Sequence, residues 1–169
     1  MKYSSNWRIA GLALVIFILD QVTKLVVLNY IGFEKGKVII DGFFKIVHWG
    51  NTGAAWSLFS GNNAILAGVA IIALIVLFLS RHHFDIHTLG GQVSLGLIFG
   101  GILGNLTDRI LRHQVIDFLY FYVVRRNGTE LPFPAFNVAD SAICIGVGLL
   151  FILSWRNEST KPVPAETKS

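Results

Sequence analysis

The chain has 169 residues, 53% of them hydrophobic and only 14% charged, with a mean hydropathy of +0.62; a soluble domain of this length carries more polar surface. The formal charge of +4 comes from Lys and Arg scattered around apolar segments, with no basic run or stripe, so lipid headgroups fit it better than nucleic acid. The single cysteine, Cys144, excludes an intramolecular disulfide and, inside an apolar run, reads as a small packing residue.

A bilayer core of about 30 Å needs about 20 mostly apolar residues per helix, and four segments meet that length. The first, 7–30, is interrupted by Asp20 and Lys24. Its apolar run continues past Asp20 with no small-residue cleavage site after it, so it reads as a retained span rather than a removed signal peptide. The connection 31–62 contains "KVIIDGFFKIVHWGNTGAAWSLF", whose β-branched and aromatic residues bounded by Gly predict short strands at the membrane surface. Phe43, Phe44, Trp49 and Trp56 suit an interfacial aromatic belt.

The second span, 63–80, carries no charge, and a short connection, 81–90, leads into the third span, 91–111. There Gly96, Gly100 and Gly104 share one helix face and predict close helix packing. In the connection 112–135, "YFYVVRRNGTELPFPAF" places Asn127–Gly128 between β-prone runs, a hairpin signal. The fourth span, 136–155, carries Asp140 near its start, and residues 156–169 are expected to form a disordered polar tail. Residues 1–155 therefore read as one integral membrane domain, mainly α: a four-transmembrane-helix bundle with a small β element at the outer surface. Four spans put both ends on one side, and the density of Lys and Arg in the short loop and ends makes that side cytoplasmic.

In that orientation polar residues from separate segments collect in one leaflet. Asp20 and Lys24 lie in the outer half of span one, Asn105, Asp108 and Arg109 near the outer end of span three, and Asn137 and Asp140 at the outer start of span four. Asp117 follows span three closely, and Asn51 precedes span two. Ionisable groups at membrane depth are costly and point to function. Several have structural explanations: Asp20 and Lys24 can pair at i, i+4, Arg109 beside Asp108 can snorkel to the interface, and Asn105 and Asn137 can bond between helices.

Asp117 and Asp140 have no obvious local cation. Two carboxyls held together in a poorly solvated site cannot easily both ionise, so one stays protonated and the other takes a proton from water, which is the chemistry of an aspartyl protease. A structural pair and a proton- or ion-coupled transporter remain the alternatives, although no internal repeat and no midplane site favour transport. There is no H-E-x-x-H motif for a metalloprotease and no G-x-G-D element of the presenilin-like class. Ser57 with Lys24 as base would make a Ser–Lys peptidase, but packing is the better reading of Ser57.

Five stretches in order, "LDQVTK", "NTGAAWS", "GGILGNLTDR", "VIDF" and "FNVADS", spread from Leu19 to Ser141, resemble those of the bacterial lipoprotein signal peptidases, the type II signal peptidases. That resemblance implies an intramembrane aspartic endopeptidase of the bacterial inner membrane, with its site near the periplasmic face. It would cut diacylglyceryl-modified prolipoproteins on the amino-terminal side of the lipidated cysteine. The family's catalytic pair falls on Asp117 and Asp140. Asn51 and Arg109 would meet the substrate backbone, Asn105 and Asn137 would orient the pair, and Asp20, Lys24 and Asp108 would support them. A β-cradle and a flap would fall on the two longer connections, the second of which exceeds the family's usual length. No cofactor and no metal are implied, a monomer would suffice, the partners are the lipid-modified precursor and membrane lipids, and globomycin-type inhibitors are expected to act.

Overall fold

The computed structural model describes residues 2–53 and 61–159. In chain order these form α1 (Lys2–Tyr30), β1 (Gly36–Ile40), β2 (Phe44–Asn51), α2 (Asn63–Ser80), a 3₁₀ turn (Arg81–His83), α3 (Leu89–Leu111), β3 (Val115–Val124), β4 (Glu130–Pro132) and α4 (Val138–Ser159). Among the described residues four helices are long and apolar enough to cross a bilayer, at the places the hydropathy pattern predicts. The fourth runs on through Arg156 to Ser159, beyond the point where the sequence suggests a tail. Trp56, Ser57 and residues 160–169 lie outside the described residues.

α3 is the hub of the bundle, packed on α1, α2 and α4. The glycine stripe makes this possible. A Cβ added at Gly100 would lie 2.6 Å from the carbonyl oxygen of Ala13, and one at Gly104 would meet the Asp20 carboxylate, so the stripe is where the α1 backbone approaches. α2 has no buried residue, and its apolar surface faces outward, as expected of a helix solvated by lipid. Cys144 also departs from expectation. It is exposed on α4 rather than packed, because the face of α4 turned to α3 is occupied by Ala139, Ile143 and Gly146.

The four strands form one antiparallel sheet in the order β1-β2-β3-β4. Residues 125–129 close the β3–β4 hairpin, with Gly128 at φ +79° and its N–H donating to the Arg125 carbonyl over 2.9 Å. A left-handed residue after a tight turn is the arrangement that the Asn-Gly pair favours. Val27 of α1, Ile116 and Phe118 of β3 and the neighbouring Val138 form a buried apolar cluster that fixes the sheet to the bundle. A bulge in β2 between Ile46 and Trp49 restores the pairing Trp49↔Asp117 and Asn51↔Val115 at the end nearest the helices.

Candidate active site

The polar residues singled out from the sequence meet where the C-terminal halves of α1 and α3 and the N-terminal end of α4 reach β3, in two connected layers.

The deeper layer is ionic. Asp20, Lys24 and Asp108 are fully buried, and Lys24 Nζ lies 2.8 Å from Asp20 Oδ2, 2.8 Å from Asp108 Oδ2 and 2.9 Å from Asn105 Oδ1. The i, i+4 pair expected along α1 is therefore half of an interhelical triad. Asp20 Oδ1 also accepts the Ala139 N–H of α4 over 2.9 Å, so one carboxylate ties α1 to α4 while its other oxygen holds Lys24. Asp108 accepts the Ile116 N–H at the start of β3 over 3.2 Å and pairs with Arg112 one turn along α3. Such a network is sustained only when each buried charge is paired and hydrogen-bonded. Lys24, held by two carboxylates, is not free to serve Ser57 as a base.

Two members of this layer escaped the sequence reading. Gln21 Nε2 bridges Asp20, the Gly104 carbonyl and Asp108 over 3.1–3.2 Å, and Arg112 closes the charge balance. The i, i+4 spacing of Asp108 and Arg112 was the available signal. Gln21, one residue from Asp20, had none beyond its polarity.

The upper layer holds the two remaining acids. Asn137 caps α4 reciprocally: its Oδ1 accepts the Asp140 N–H over 2.9 Å, and Asp140 Oδ2 accepts the Asn137 N–H over 3.1 Å. The Asn137 side-chain amide donates to Asp117 Oδ1 over 2.8 Å. One asparagine thus holds both carboxyls. Asn105 Nδ2 donates to Asp140 Oδ1 over 2.7 Å while its own oxygen is held by Lys24, so the deep cation fixes which way the Asn105 amide faces. Asn51 Nδ2 donates to Asp117 Oδ2 over 2.9 Å, and Asn51 Oδ1 accepts the Gly53 N–H over 2.9 Å.

Asp117 is only 4% exposed. Burial first, then the neighbouring charge of Asp140, pushes its carboxyl up to about 7, against the opposing bonds from Asn51 and Asn137. Asp140 is half-buried and sits in the first turn of α4, where the helix dipole favours a negative charge.

Arg109 stands apart from Asp108. Adjacent residues on a helix point about 100° apart, and Arg109 turns toward the segment after β2, donating to the Gly53 carbonyl over 2.7 Å and to Asn63 Oδ1 over 3.2 Å. Asn63 returns a bond to the Arg109 carbonyl over 2.8 Å. Arg109 therefore fixes the chain that carries Asn51. Asn51 itself is bonded to Asp117, a contact that the expected substrate-backbone role did not include.

A family model described as signal peptidase (SPase) II matches residues 12–156. The lipoprotein signal peptidase of Bacillus subtilis is 40% identical over 143 residues, covering 83% of this chain and 88% of that protein. That of Anoxybacillus flavithermus is 36% identical over 152 residues, covering 89% and 86%. Two solved structures, each titled a bacterial membrane enzyme structure by the in meso method, superpose with TM-scores of 0.70. One is 33% identical and matched over 93% of this chain and 92% of its own; the other is 35% identical over 85% and 89%. The chain belongs to the signal peptidase II family.

Proposed function

We propose that this protein is an intramembrane aspartic endopeptidase that removes the signal peptide from diacylglyceryl-modified prolipoproteins, with Asp117 and Asp140 as its catalytic pair. The observation that carries the reading is the clamp made by Asn137, which bonds both carboxyls where α4 begins beside β3. The relatives are peptidases, and nothing supports the transport alternative.

The two carboxyls share one proton, placed here on Asp117, whose carboxyl is pushed up to about 7. Asp140 takes a proton from water as the water oxygen attacks the scissile carbonyl carbon, and Asp117 gives its proton to the carbonyl oxygen. When the C–N bond breaks, the proton on Asp140 passes to the leaving amine of the cysteine. The new carboxyl group returns a proton to Asp117, which restores the starting state. Asn51, Asn105 and Asn137 keep both carboxyls oriented through the cycle, and Arg109 holds the Gly53 segment beside them.

The diacylglyceryl group would remain in the lipid. Each buried CH₂ contributes about 0.8 kcal/mol to holding the precursor at this plane, so position at fixed depth supplies much of the alignment. The termini lie on the cytoplasmic side and the site near the opposite face of the bacterial inner membrane. A monomer carries the complete site.

The test is a gel-shift assay with purified protein and a precursor prepared with and without its diacylglyceryl group. Cleavage of the lipidated form alone, blocked by globomycin, is the expected result. Equal cleavage of the unlipidated form would refute the substrate assignment.

A further inference from the structure

We propose that the cleft between α1 and α2 is a phospholipid site, which holds one acyl chain against α3 and an anionic headgroup at Arg81. The inference is independent of the peptidase reading.

The cleft follows from how the bundle is packed. α1 and α2 both pack on α3 but scarcely on one another, so a trough of about 620 Å³ remains between them with α3 as its floor. Ala10 and Phe17 of α1 form one wall, Phe78 of α2 the other, and Phe99 and Leu103 line the floor. The Thr107 hydroxyl, further along the floor, is held by the Leu103 carbonyl over 2.8 Å, so it adds no free polar group.

Apart from Thr107, the polar lining stands at one end, where Asn6 and Arg81 flank the mouth. Gln92 Nε2 donates to Ser5 Oγ over 3.2 Å, which sets the start of α1 level with the start of α3. The turn that carries Arg81 leads into that same end, opposite the one where Asp117 and Asp140 meet. The Arg81 guanidinium lies 4.1 Å from the centre of the Phe78 ring, and one nitrogen donates to the Phe78 carbonyl over 2.5 Å. Both contacts hold it against the α2 wall. Among the described residues no carboxylate pairs with it, and its remaining N–H groups suit a phosphate.

Length, shape and charge together select the occupant. At about 1.5 Å per residue the wall from Asn6 to Phe17 runs roughly 16 Å, close to the depth of one leaflet, about 15 Å of hydrocarbon. An acyl chain lying in the trough therefore brings its own phosphate to the level of Arg81. A basic pocket between spans favours an anionic headgroup. A signal-sequence helix fits less well: it is about 10–12 Å across with its side chains, and its basic start, remote from the cut, would face Arg81 with like charge. A second copy inserted in the same sense would bring another Arg81 to the same depth.

The experiment is native mass spectrometry of the full-length protein in detergent, titrated with phosphatidylglycerol or phosphatidylcholine of matched acyl chains. Wild type should retain one phosphatidylglycerol at about tenfold lower concentration than phosphatidylcholine, the scale of one charge-assisted contact. Arg81→Lys should keep most of this preference and Arg81→Gln should lose it. Ala10→Phe, at an exposed position on the wall, should fill the cleft and weaken retention of both lipids. Equal retention of the two lipids by wild type, or an unchanged preference in Arg81→Gln, would overturn the site. A dimer, or an adduct with a synthetic signal-sequence peptide, that is lost in Ala10→Phe while lipid retention is unaffected would assign the cleft to that occupant and overturn it equally.

Discussion

Replacing Lys24 by methionine keeps the side-chain length but removes the cation between Asp20 and Asp108. All three residues are fully buried, and both carboxylates lie 2.8 Å from Lys24 Nζ. Arg112 still pairs with Asp108, and the Ala139 N–H still bonds Asp20, but the cluster is left with one uncompensated negative charge. Breaking a buried pair from one side costs about 3–5 kcal/mol. For a chain of this size that corresponds to a fall in Tm of about 6–20 °C. The double variant Lys24→Met/Asp20→Asn restores neutrality while the amide oxygen keeps its bond to Ala139, so it should recover more than half of the loss. Thermal unfolding in detergent, followed by circular dichroism, reads both variants. A single variant within about 1 kcal/mol of wild type, or a double variant no better than the single, would refute the view that Lys24 serves as a buried counter-ion.

Gly100→Ala should separate α1 from α3, because its Cβ would sit 2.6 Å from the Ala13 carbonyl; overpacking of this kind costs about 1–3 kcal/mol in thermal unfolding. Gly148→Ala, with open space around the added Cβ, should be neutral or stabilising by up to about 1 kcal/mol in the same assay. The pH profile of kcat should fall on the alkaline side from about 7, as Asp117 loses the proton that it donates. Asn51→Ala removes a bond that favours the charged carboxyl, so it should move that limb to higher pH as well as slow the reaction; an unmoved limb would separate Asp117 from the titration. Because the Asp117 carboxyl is raised in the folded protein from 3.8 to about 7, its contribution to stability is complete below the lower value and is lost as pH rises to the upper one. Unfolding scans between pH 4 and pH 8 should show this loss in wild type and a flatter slope in Asp117→Asn.

The spans, the glycine stripe and the Asn-Gly hairpin were legible in the sequence because each is a local pattern: hydropathy over about 20 residues, a repeat on one helix face, or a dipeptide with a backbone preference. Membrane depth extended this reach. Residues at the same end of different spans must share a plane, and Asn105, Asn137 and Asp140 do meet. Partner choice within the plane was not legible, because it depends on helix rotation. Neighbouring Asp108 and Arg109 look like a pair in sequence, yet one turns inward to Lys24 and the other toward Gly53. Asn51 bonds the Asp117 side chain only because the β2 bulge sets the register opposite β3, and no short-range signal encodes that shift.

The most direct test of the catalytic pair compares Asp117→Asn and Asp140→Asn, each alone, with wild type on a diacylglyceryl-modified precursor, with products identified by mass spectrometry. Asparagine keeps the shape of each site but can act as neither acid nor base. The expected result is release of signal peptide by wild type and a loss of at least about 1,000-fold in each variant, with folded protein in all three. Cleavage by either variant within about tenfold of the wild-type rate would contradict the aspartic mechanism, since a pair that shares one proton cannot lose a member and still turn over.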